Sequence, residues 1–397
     1  MGDLNNNRLF SSLIVILKNK VDIEIPEKLI NYFSNINYNF NCIIDKSLVK
    51  KYKLDKKFYD EQIKLDINNR HKKISNLNEI LHEVYNVKLI DKYSEYDMIL
   101  DNDFISIRVK RDILNNLNFI YSYESKKRKI MIVSNKYEES SLIEILSILD
   151  LFDLITNKEN NYYINIYMSK LKKVINNNID YLNGDNINSG STLPGYFITI
   201  WRKEEVNKVL IHELVHYLKI DMINYQYKFN ILYKDINFKD HKCNPNEAYT
   251  EFIAILIFTF WTFKKKGLEN NKLNKYIKNR LLIELGWSYF QIGKILNFFK
   301  CYNSYEDLFK SNCIFNQKTN VLSYFILKTY LLKNLKNSIE YINFETFKQN
   351  DILTSKLLNK INLHEEDFKN IINWCINYYK TTKIKINHNS LRMSCLD

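Results

Sequence analysis

Glycine and proline are scarce in this sequence. Its 397 residues include 7 glycines and 3 prolines, whereas ordinary usage gives about 28 and about 20. This scarcity excludes collagen-like and proline-rich chains, and no three glycines fit the G-x-G-x-x-G fingerprint of dinucleotide-binding folds. Gly190 and Gly195 have the outer spacing of a P-loop, but Tyr196 and Phe197 occupy the positions that need Lys and Ser or Thr. We therefore expect no nucleotide cofactor.

Paired cysteines and long apolar runs are missing as well. The 6 cysteines form no C-x-x-C pair, which favours reduced thiols in a cytoplasmic compartment. Residues 9–17 are largely apolar, but the segment is short and lacks a small-residue cleavage site, so we expect a structural segment rather than a signal peptide. The longest apolar run, residues 252–263, has 12 residues, and a transmembrane helix needs about 20. The sequence thus predicts no transmembrane segment.

The charge balance is basic but selects no partner. The formal net charge is +13, and a basic protein can bind nucleic acid or anionic membranes without specificity. The positive charge is spread along the chain rather than concentrated in one run. Hydrophobic residues make up 46% and charged residues 26% of the chain, which is typical of a folded protein with a large core.

The middle of the chain changes between strand and helix patterns. Alternation with a period of two predicts strands at residues 104–110, 118–123, 129–134, 162–168 and 196–201. Apolar stripes with a helical period predict helices at residues 137–155 and 203–220, and an almost wholly helical region from residue 244 onward. The sequence therefore predicts an α+β fold whose last third is mainly helical.

The predicted helix 203–220 contains an H-E-x-x-H motif. His212 and His216 are four residues apart, so their imidazoles lie on one face and both can reach one Zn²⁺ at about 2.0 to 2.1 Å. Glu213 lies beside the first histidine, where it is placed for a metal-bound water rather than for the metal. The flanking residues are apolar and include no Gly or Pro. The motif predicts a metal site on a buried helix.

A third ligand is needed, because catalytic zinc has three protein ligands and one open position. Asn244 and Pro245 predict the start of a second helix, since Asn is a favoured N-cap and Pro a favoured first residue. Glu247 and Glu251 then share one face of this helix, and the residues that follow are apolar. Two carboxylates on a buried helix are costly without compensation. A metal ion and its histidines would compensate them.

This combination of motifs resembles the gluzincins, the thermolysin-like clan of zinc metallopeptidases. Their pattern is H-E-x-x-H followed by a glutamate ligand in a downstream helix, often as N-E-x-x-x-D/E. The resemblance implies one Zn²⁺ per chain, held by His212, His216 and Glu247. It also implies that Glu251 holds His212 through the other ring nitrogen. Glu213 would be the general base that activates a zinc-bound water to hydrolyse a peptide bond of a protein or peptide substrate.

The resemblance also implies an architecture. The expected α+β fold is a zincin-like, two-lobed catalytic domain in which residues 103–221 form the upper lobe, a mixed sheet with a backing helix and the active-site helix. Residues 222–397 form a mainly helical lower lobe with the third ligand, and residues 1–102 an N-terminal accessory region of open role. In the clan, the edge strand before the active-site helix pairs with the extended substrate. This assigns substrate pairing to Phe197, Ile198, Thr199, Ile200 and Trp201.

A second resemblance concerns viral proteins, and two alternative functions stay open. The Asn-rich, Gly-poor composition and residues 195–216 resemble metallopeptidases of large DNA viruses, so we expect a cytoplasmic or virion-associated protein. In one alternative, His241 or Cys243 replaces Glu247 as a ligand, and a three-histidine site would suit an SprT-like protease that cuts DNA-bound proteins. In the other, the zinc is structural in a non-catalytic virion or nucleic-acid-associated protein, although a structural site needs no Glu213.

The donor that stabilises the tetrahedral oxyanion stays open at the level of sequence. Gluzincins commonly use a His, Tyr or Arg for this purpose. Tyr249, His241 and Arg280 are available, but no motif selects one of them.

Overall fold

The computed structural model of the protein describes residues 15, 23–40, 43–53, 105–175, 180–221, 235–239, 243–310, 312–344, 356–357, 360–381 and 390–395. Within these residues the chain forms a six-stranded mixed sheet together with many helices. The predicted mixture of α and β structure is therefore confirmed.

The sheet has the spatial order β1-β2-β3-β4-β6-β5. The strands are Val49–Lys53 (β1), Phe119–Glu124 (β2), Arg128–Ser134 (β3), Tyr162–Tyr167 (β4), Gly190–Leu193 (β5) and Phe197–Ile200 (β6). β1, β2 and β3 pair antiparallel, whereas β3, β4 and β6 run parallel to one another. β5 is antiparallel to β6 and forms one edge. The parallel centre is thus flanked by antiparallel strands on both sides.

The described helices include those predicted at residues 137–155 and 203–220 and several in the predicted helical region from residue 244 onward. They are Glu27–Asn35 (α1), Ile107–Asn116 (α2), Glu139–Ile155 (α3), Gly184–Ile187 (α4), Val206–Tyr217 (α5), Asn246–Lys265 (α6), Leu273–Phe298 (α7), Lys328–Lys333 (α8), Leu335–Ile339 (α9) and Glu366–Thr381 (α10). A π-helical turn, Ser323–Leu327, precedes α8. Helix α5 carries the H-E-x-x-H motif, and α6 is the predicted downstream helix.

Four of the five predicted strands are present as β2, β3, β4 and β6. The strand predicted at residues 104–110 is wrong, because most of this segment lies in α2. Ile105, Val109 and Ile113 are spaced by four residues, and all three are buried against the sheet. A short apolar segment is compatible with either a strand or one turn of a helix. Here the segment is helical, and its apolar side chains pack against the sheet.

The sheet separates two apolar clusters. Along β3, Ile130 and Ile132 face the large cluster that includes α3 and α5, whereas Met131 and Val133 face the smaller cluster beneath α2. This alternation is the period of two expected for a strand. The large cluster continues without interruption into α6, α7 and α10. Helix α5 therefore lies between the sheet and the helical part of the chain.

The described part of residues 1–102 packs into the same core. Strand β1 adds to the sheet beside β2. The ring of Phe33 in α1 stacks on Phe260 of α6 with centroids 4.5 Å apart, and the Tyr38 hydroxyl donates to the backbone oxygen of Ser147 at 2.8 Å. The region predicted to be accessory thus supplies an edge strand and a helix to the main fold.

Among the described residues, no helix is both long enough and apolar enough to cross a membrane. The apolar run 252–263 lies within α6, where its side chains are buried. Helices α5, α7 and α8 all pack against α6, so the run serves as the centre of the helical core.

Candidate metal centre

Helices α5 and α6 bring His212, His216 and Glu247 together. Their ligand atoms all lie within 4.8 Å of one another, and this group can hold a metal ion. The two Nε2 atoms are 3.1 Å apart, and Glu247 Oε2 lies 3.6 Å from Nε2 of His212 and 3.5 Å from that of His216. Ligand atoms at about 2.0 to 2.1 Å around a tetrahedral ion are separated by about 3.3 to 3.4 Å. The triangle has the size of one face of such a site.

A carboxylate holds the outer nitrogen of each imidazole. Nδ1 of His212 lies 2.8 Å from Glu251 Oε2, as the sequence predicted for Glu251. Nδ1 of His216 lies 2.6 Å from Asp221 Oδ2. A carboxylate at Nδ1 favours the tautomer with the proton on that nitrogen, so the Nε2 lone pair points to the shared space. Two such lone pairs facing each other require a proton or a cation between them.

The two carboxylates are themselves fixed. Glu251 is fully buried and accepts a hydrogen bond from Nζ of Lys208, one turn before His212 on α5. Asp221 accepts from Asn246 Nδ2 at 3.1 Å and from Thr250 Oγ1 at 2.7 Å, both on α6. These contacts set the orientation of the imidazoles before any ligand arrives.

The turn after α5 explains how Asp221 reaches His216. Lys219 adopts a left-handed conformation with φ 57°, which ends the helix and turns the chain back on itself. The six residues from His216 to Asp221 therefore span a reversal rather than another helical turn. This contact depends on one backbone torsion that no sequence motif announced.

Negative charge exceeds positive charge in this centre. The ammonium of Lys208 pairs with Glu251, whereas the salt bridges of the described residues join no lysine or arginine to the carboxylates of Glu213, Asp221 or Glu247. Lys208, Glu213, Asp221 and Glu251 are each less than a tenth exposed. Buried charges without partners are costly. A divalent cation would offset two of the three excess negative charges.

The histidines carry that charge when no metal is bound. Burial disfavours the imidazolium of His216, but the neighbouring Glu247 and Asp221 raise its pKa well above the ordinary value. Burial also opposes the charged form of His212, and the neighbouring carboxylates of Glu247 and Glu251 nevertheless raise its pKa. Burial would raise the pKa of Glu247, but the two histidines lower it. Protons and a metal ion thus compete for the same nitrogens.

One ligand atom lacks a donor. Oε2 of Glu247 is buried and has no hydrogen-bond partner among the described residues. It points at the two Nε2 atoms, which act as acceptors in the tautomer set by Glu251 and Asp221. Buried polar atoms in native structures are nearly always satisfied. An acceptor-only triangle of this kind fits a bound cation.

Glu213 lies at the centre without belonging to the ligand triangle. Its carboxylate Oε2 accepts a hydrogen bond of 2.6 Å from the Thr192 hydroxyl of β5. Its position on α5 is adjacent to His212, and it is 6% exposed. Glu213 is therefore a carboxylate next to the ligand triangle that is not itself one of the three ligands.

The predicted edge strand is wrong. β6, which contains Phe197, Ile198, Thr199 and Ile200, lies between β4 and β5, and Trp201 follows it as a buried core residue. Strands on both sides occupy its backbone groups. The edge beside α5 is instead β5. Its four residues, Gly-Ser-Thr-Leu, are too few and too polar to give a strand pattern.

Sequence reasoning also missed Tyr324. It lies on the π-helical turn Ser323–Leu327, and its ring centroid is 6.0 Å from that of His212. Burial, followed by the charges of Glu247 and Glu213, raises the pKa of its hydroxyl well above the usual value. π-helical turns recur at functional sites, but no residue pattern marked this one.

The other candidate ligands and oxyanion donors are not part of the described ligand triangle. The Cys243 thiol is 2.8 Å from Ser323 Oγ and does not belong to the ligand triangle. Tyr249 is fully buried, and Arg280 lies over the Tyr276 ring at 5.9 Å. His241 lies outside the described residues.

A related sequence occurs in a virus. The chain is 23% identical over 398 residues to the uncharacterised protein R210 of Acanthamoeba polyphaga mimivirus, and the match covers 95% of this chain and 96% of that protein. No model of a known protein family matches the chain, and no solved structure matches it. A viral relative agrees with the resemblance that the composition and residues 195–216 carry, but it assigns no activity.

Proposed function

We propose that the protein is a zinc-dependent peptidase that hydrolyses peptide bonds in a protein or peptide substrate. One Zn²⁺ per chain would be held by His212, His216 and Glu247, with Glu213 as the general base. The observation that carries the proposal is the convergence of two Nε2 atoms and one donorless carboxylate oxygen beside a further carboxylate that is not a ligand.

The donor set favours zinc over other common metals. Two imidazole nitrogens and one carboxylate oxygen suit Zn²⁺, whereas Ca²⁺ and Mg²⁺ prefer oxygen ligands in larger number. Three protein ligands leave a fourth position open, which is the arrangement of catalytic rather than structural zinc. The outer carboxylates of Glu251 and Asp221 add the support that metal-binding histidines usually have.

The chain's own residues account for the proton transfers. Zn²⁺ in such a site supplies a Lewis acid and lowers the pKa of water to about 7. Glu213 accepts the proton of the attacking water and passes it to the leaving amine. Tyr324 stays a neutral donor at working pH, because burial and nearby carboxylates raise the pKa of its hydroxyl. We assign it the hydrogen bond to the developing oxyanion.

Strand β5, which forms one edge of the described sheet, is the proposed place for the substrate. One side of this strand pairs with β6, and no further described strand pairs with it. An extended peptide can add to such an edge through main-chain hydrogen bonds. The sheet with α5 on one side and the α6–α10 region beyond it would then form the two lobes of a zincin-like catalytic domain.

Metal analysis and a peptide library test this function together. We expect purified protein to contain about one zinc per chain and to cleave a subset of library peptides, read by mass spectrometry. Glu213→Gln keeps the side-chain shape but removes the base, so we expect unchanged zinc content and cleavage reduced by about 100-fold or more. Zinc in wild-type protein with no cleavage would favour the structural-zinc alternative. Cleavage by the variant at the wild-type rate would refute Glu213 as base.

A further inference from the structure

Two residues of β5 contact the two oxygens of the Glu213 carboxylate. Gly190 and Thr192 are two positions apart, so they face the same side of the strand, towards α5. The Thr192 hydroxyl lies 2.6 Å from Oε2. A Cβ added to Gly190 would lie 2.5 Å from Oε1 and 2.8 Å from Cγ of the same side chain. The strand therefore holds one oxygen and leaves space for the other.

We infer that Thr192 is a positioning residue for the general base, and that Gly190 provides the space this position requires. The inference rests on the proposed function, since it concerns the geometry of Glu213 during peptide hydrolysis. Thr192 does not contact the ligand triangle through any hydrogen bond of the described residues. Its effect is to fix the rotamer of the residue that moves the proton.

The chemistry of the contact fixes its direction. The Thr192 hydroxyl has one hydrogen and two acceptors nearby, Glu213 Oε2 at 2.6 Å and the Glu213 backbone oxygen at 3.2 Å. A bond to a charged carboxylate is shorter and stronger than one to a neutral carbonyl, so the hydrogen goes to Oε2. This leaves Oε1, on the Gly190 side, as the oxygen that accepts the proton from water.

The side-chain types suit this positioning. A glutamate carboxylate can rotate about three side-chain torsions. Each torsion that is free to rotate reduces the fraction of time in which the carboxylate is aligned with the attacking water. Threonine is β-branched and has few rotamers, and here it is held on a paired strand. Because β5 is also the proposed edge for the substrate, one short strand would align both the peptide and the base.

Three variants test the inference. Thr192→Val keeps the shape and branching but removes the hydroxyl, so we expect kcat to fall about tenfold or more, with KM within about twofold and zinc content unchanged. Thr192→Ser keeps the hydroxyl and should retain kcat within about threefold. Gly190→Ala should lower kcat by a similar factor, because its Cβ displaces the carboxylate.

The matched control is Thr381→Val at the exposed end of α10, where the lost hydroxyl donates only to backbone oxygens of the same helix. We expect it to leave kcat unchanged. A crystal structure of metal-free Thr192→Val gives a readout besides activity, and we expect the Glu213 carboxylate to rotate away from its wild-type position.

The outcomes separate the inference from the proposed function. If wild type cleaves and Glu213→Gln does not, while Thr192→Val cleaves at the wild-type rate or Thr192→Ser loses activity equally, the positioning role is wrong and the peptidase stands. An unmoved carboxylate in the Thr192→Val structure would also overturn the inference. If wild-type protein with bound zinc cleaves nothing, the proposed function fails first.

Discussion

Helix α5 has buried charge at both ends, and the two clusters are built differently. At the start of α5, Glu205 accepts hydrogen bonds from the backbone N–H groups of residues 393 and 394, at 3.3 and 2.6 Å. It also forms a fully buried ion pair with Lys173 at 2.6 Å. Nearby, Glu284 pairs with Lys328 at 3.5 Å. In this closed cluster each carboxylate faces a cation and donors from the chain itself.

The metal centre, further along the same helix, is open by comparison. Its carboxylates outnumber its one ammonium, and the atoms that converge are acceptors. The closed cluster fastens the C-terminal segment to the fold, since Leu391 and Ser394 of that segment are fully buried. In the closed cluster each carboxylate is matched by a lysine of the chain, which indicates a structural role, whereas the converging acceptor atoms of the metal centre indicate a site for a cation.

Substituting one residue of each cluster should separate metal binding from fold stability, and these substitutions should cause the largest changes in zinc affinity and in the free energy of unfolding. His216→Ala removes a ligand, so zinc affinity should fall about 1000-fold or more while the fold is retained. Glu205→Gln leaves Lys173 buried without its partner, so it should lower the free energy of unfolding by about 3 to 5 kcal/mol and leave zinc affinity unchanged. Zinc competition titrations and urea unfolding check the pair. Loss of zinc binding in Glu205→Gln would contradict the distinction.

The pH dependence of the clusters should also differ. Zinc requires neutral imidazoles, and the pKa values of His212 and His216 are raised above 6.5 in the metal-free protein. Zinc affinity should therefore fall as pH falls, beginning above pH 6.5, by up to about 100-fold per pH unit when two protons compete. Isothermal titration between pH 5.5 and 8 measures this slope. A flat profile would show that these histidines are not the ligands.

The sign of the stability change follows from the same pKa directions. Raised histidine pKa values stabilise the metal-free fold below pH 6.5, and this contribution is lost as pH rises through the folded-state values. The increase in Tm on adding zinc should thus grow with pH. Burial would raise the pKa of Glu205, but Lys173 and other cations lower it. Its contribution is complete above the ordinary carboxyl pKa, about 4.3, and is lost only in acid.

A smaller effect is expected from the carboxylate that holds His216. Asp221→Asn keeps the shape and an acceptor oxygen but removes the charge, so we expect zinc affinity to fall about tenfold. The contacts of Asn246 and Thr250 with this position should keep the fold intact. Asp307→Asn, which alters a carboxylate in a separate 3₁₀ turn, is the matched control. We expect it to leave zinc affinity unchanged. An equal loss of zinc affinity in both variants would show that Asp221 does not support zinc binding through His216.

The sequence predicted those parts of the site that are local. His212 and His216 are neighbours on any helix, and the position of Glu213 follows from the same turn. Burial on one helix face indicates that Glu247 and Glu251 need a partner, and the resemblance to the gluzincin motif selects Glu247 as the ligand; the structure places it near both histidines. The positions of the histidines and of Glu213 needed only a helix and a spacing.

The remaining contacts come from tertiary structure and left no local pattern. Asp221 reaches His216 through a left-handed turn at Lys219, and Tyr324 arrives from a π-helical turn more than 100 residues along the chain. Strand β5 consists of four mostly polar residues. The edge prediction therefore fell on β6, whose apolar alternation is stronger because it is more central and more buried.

An anomalous difference map from crystals of the zinc-loaded, full-length protein tests the central claim most directly. We predict one strong peak bonded to Nε2 of His212, Nε2 of His216 and a carboxylate oxygen of Glu247, at about 2.0 to 2.2 Å. Glu213 should lie beside the peak but outside bonding distance. A peak ligated by His241 or Cys243 in place of Glu247, or no peak between α5 and α6, would contradict the account.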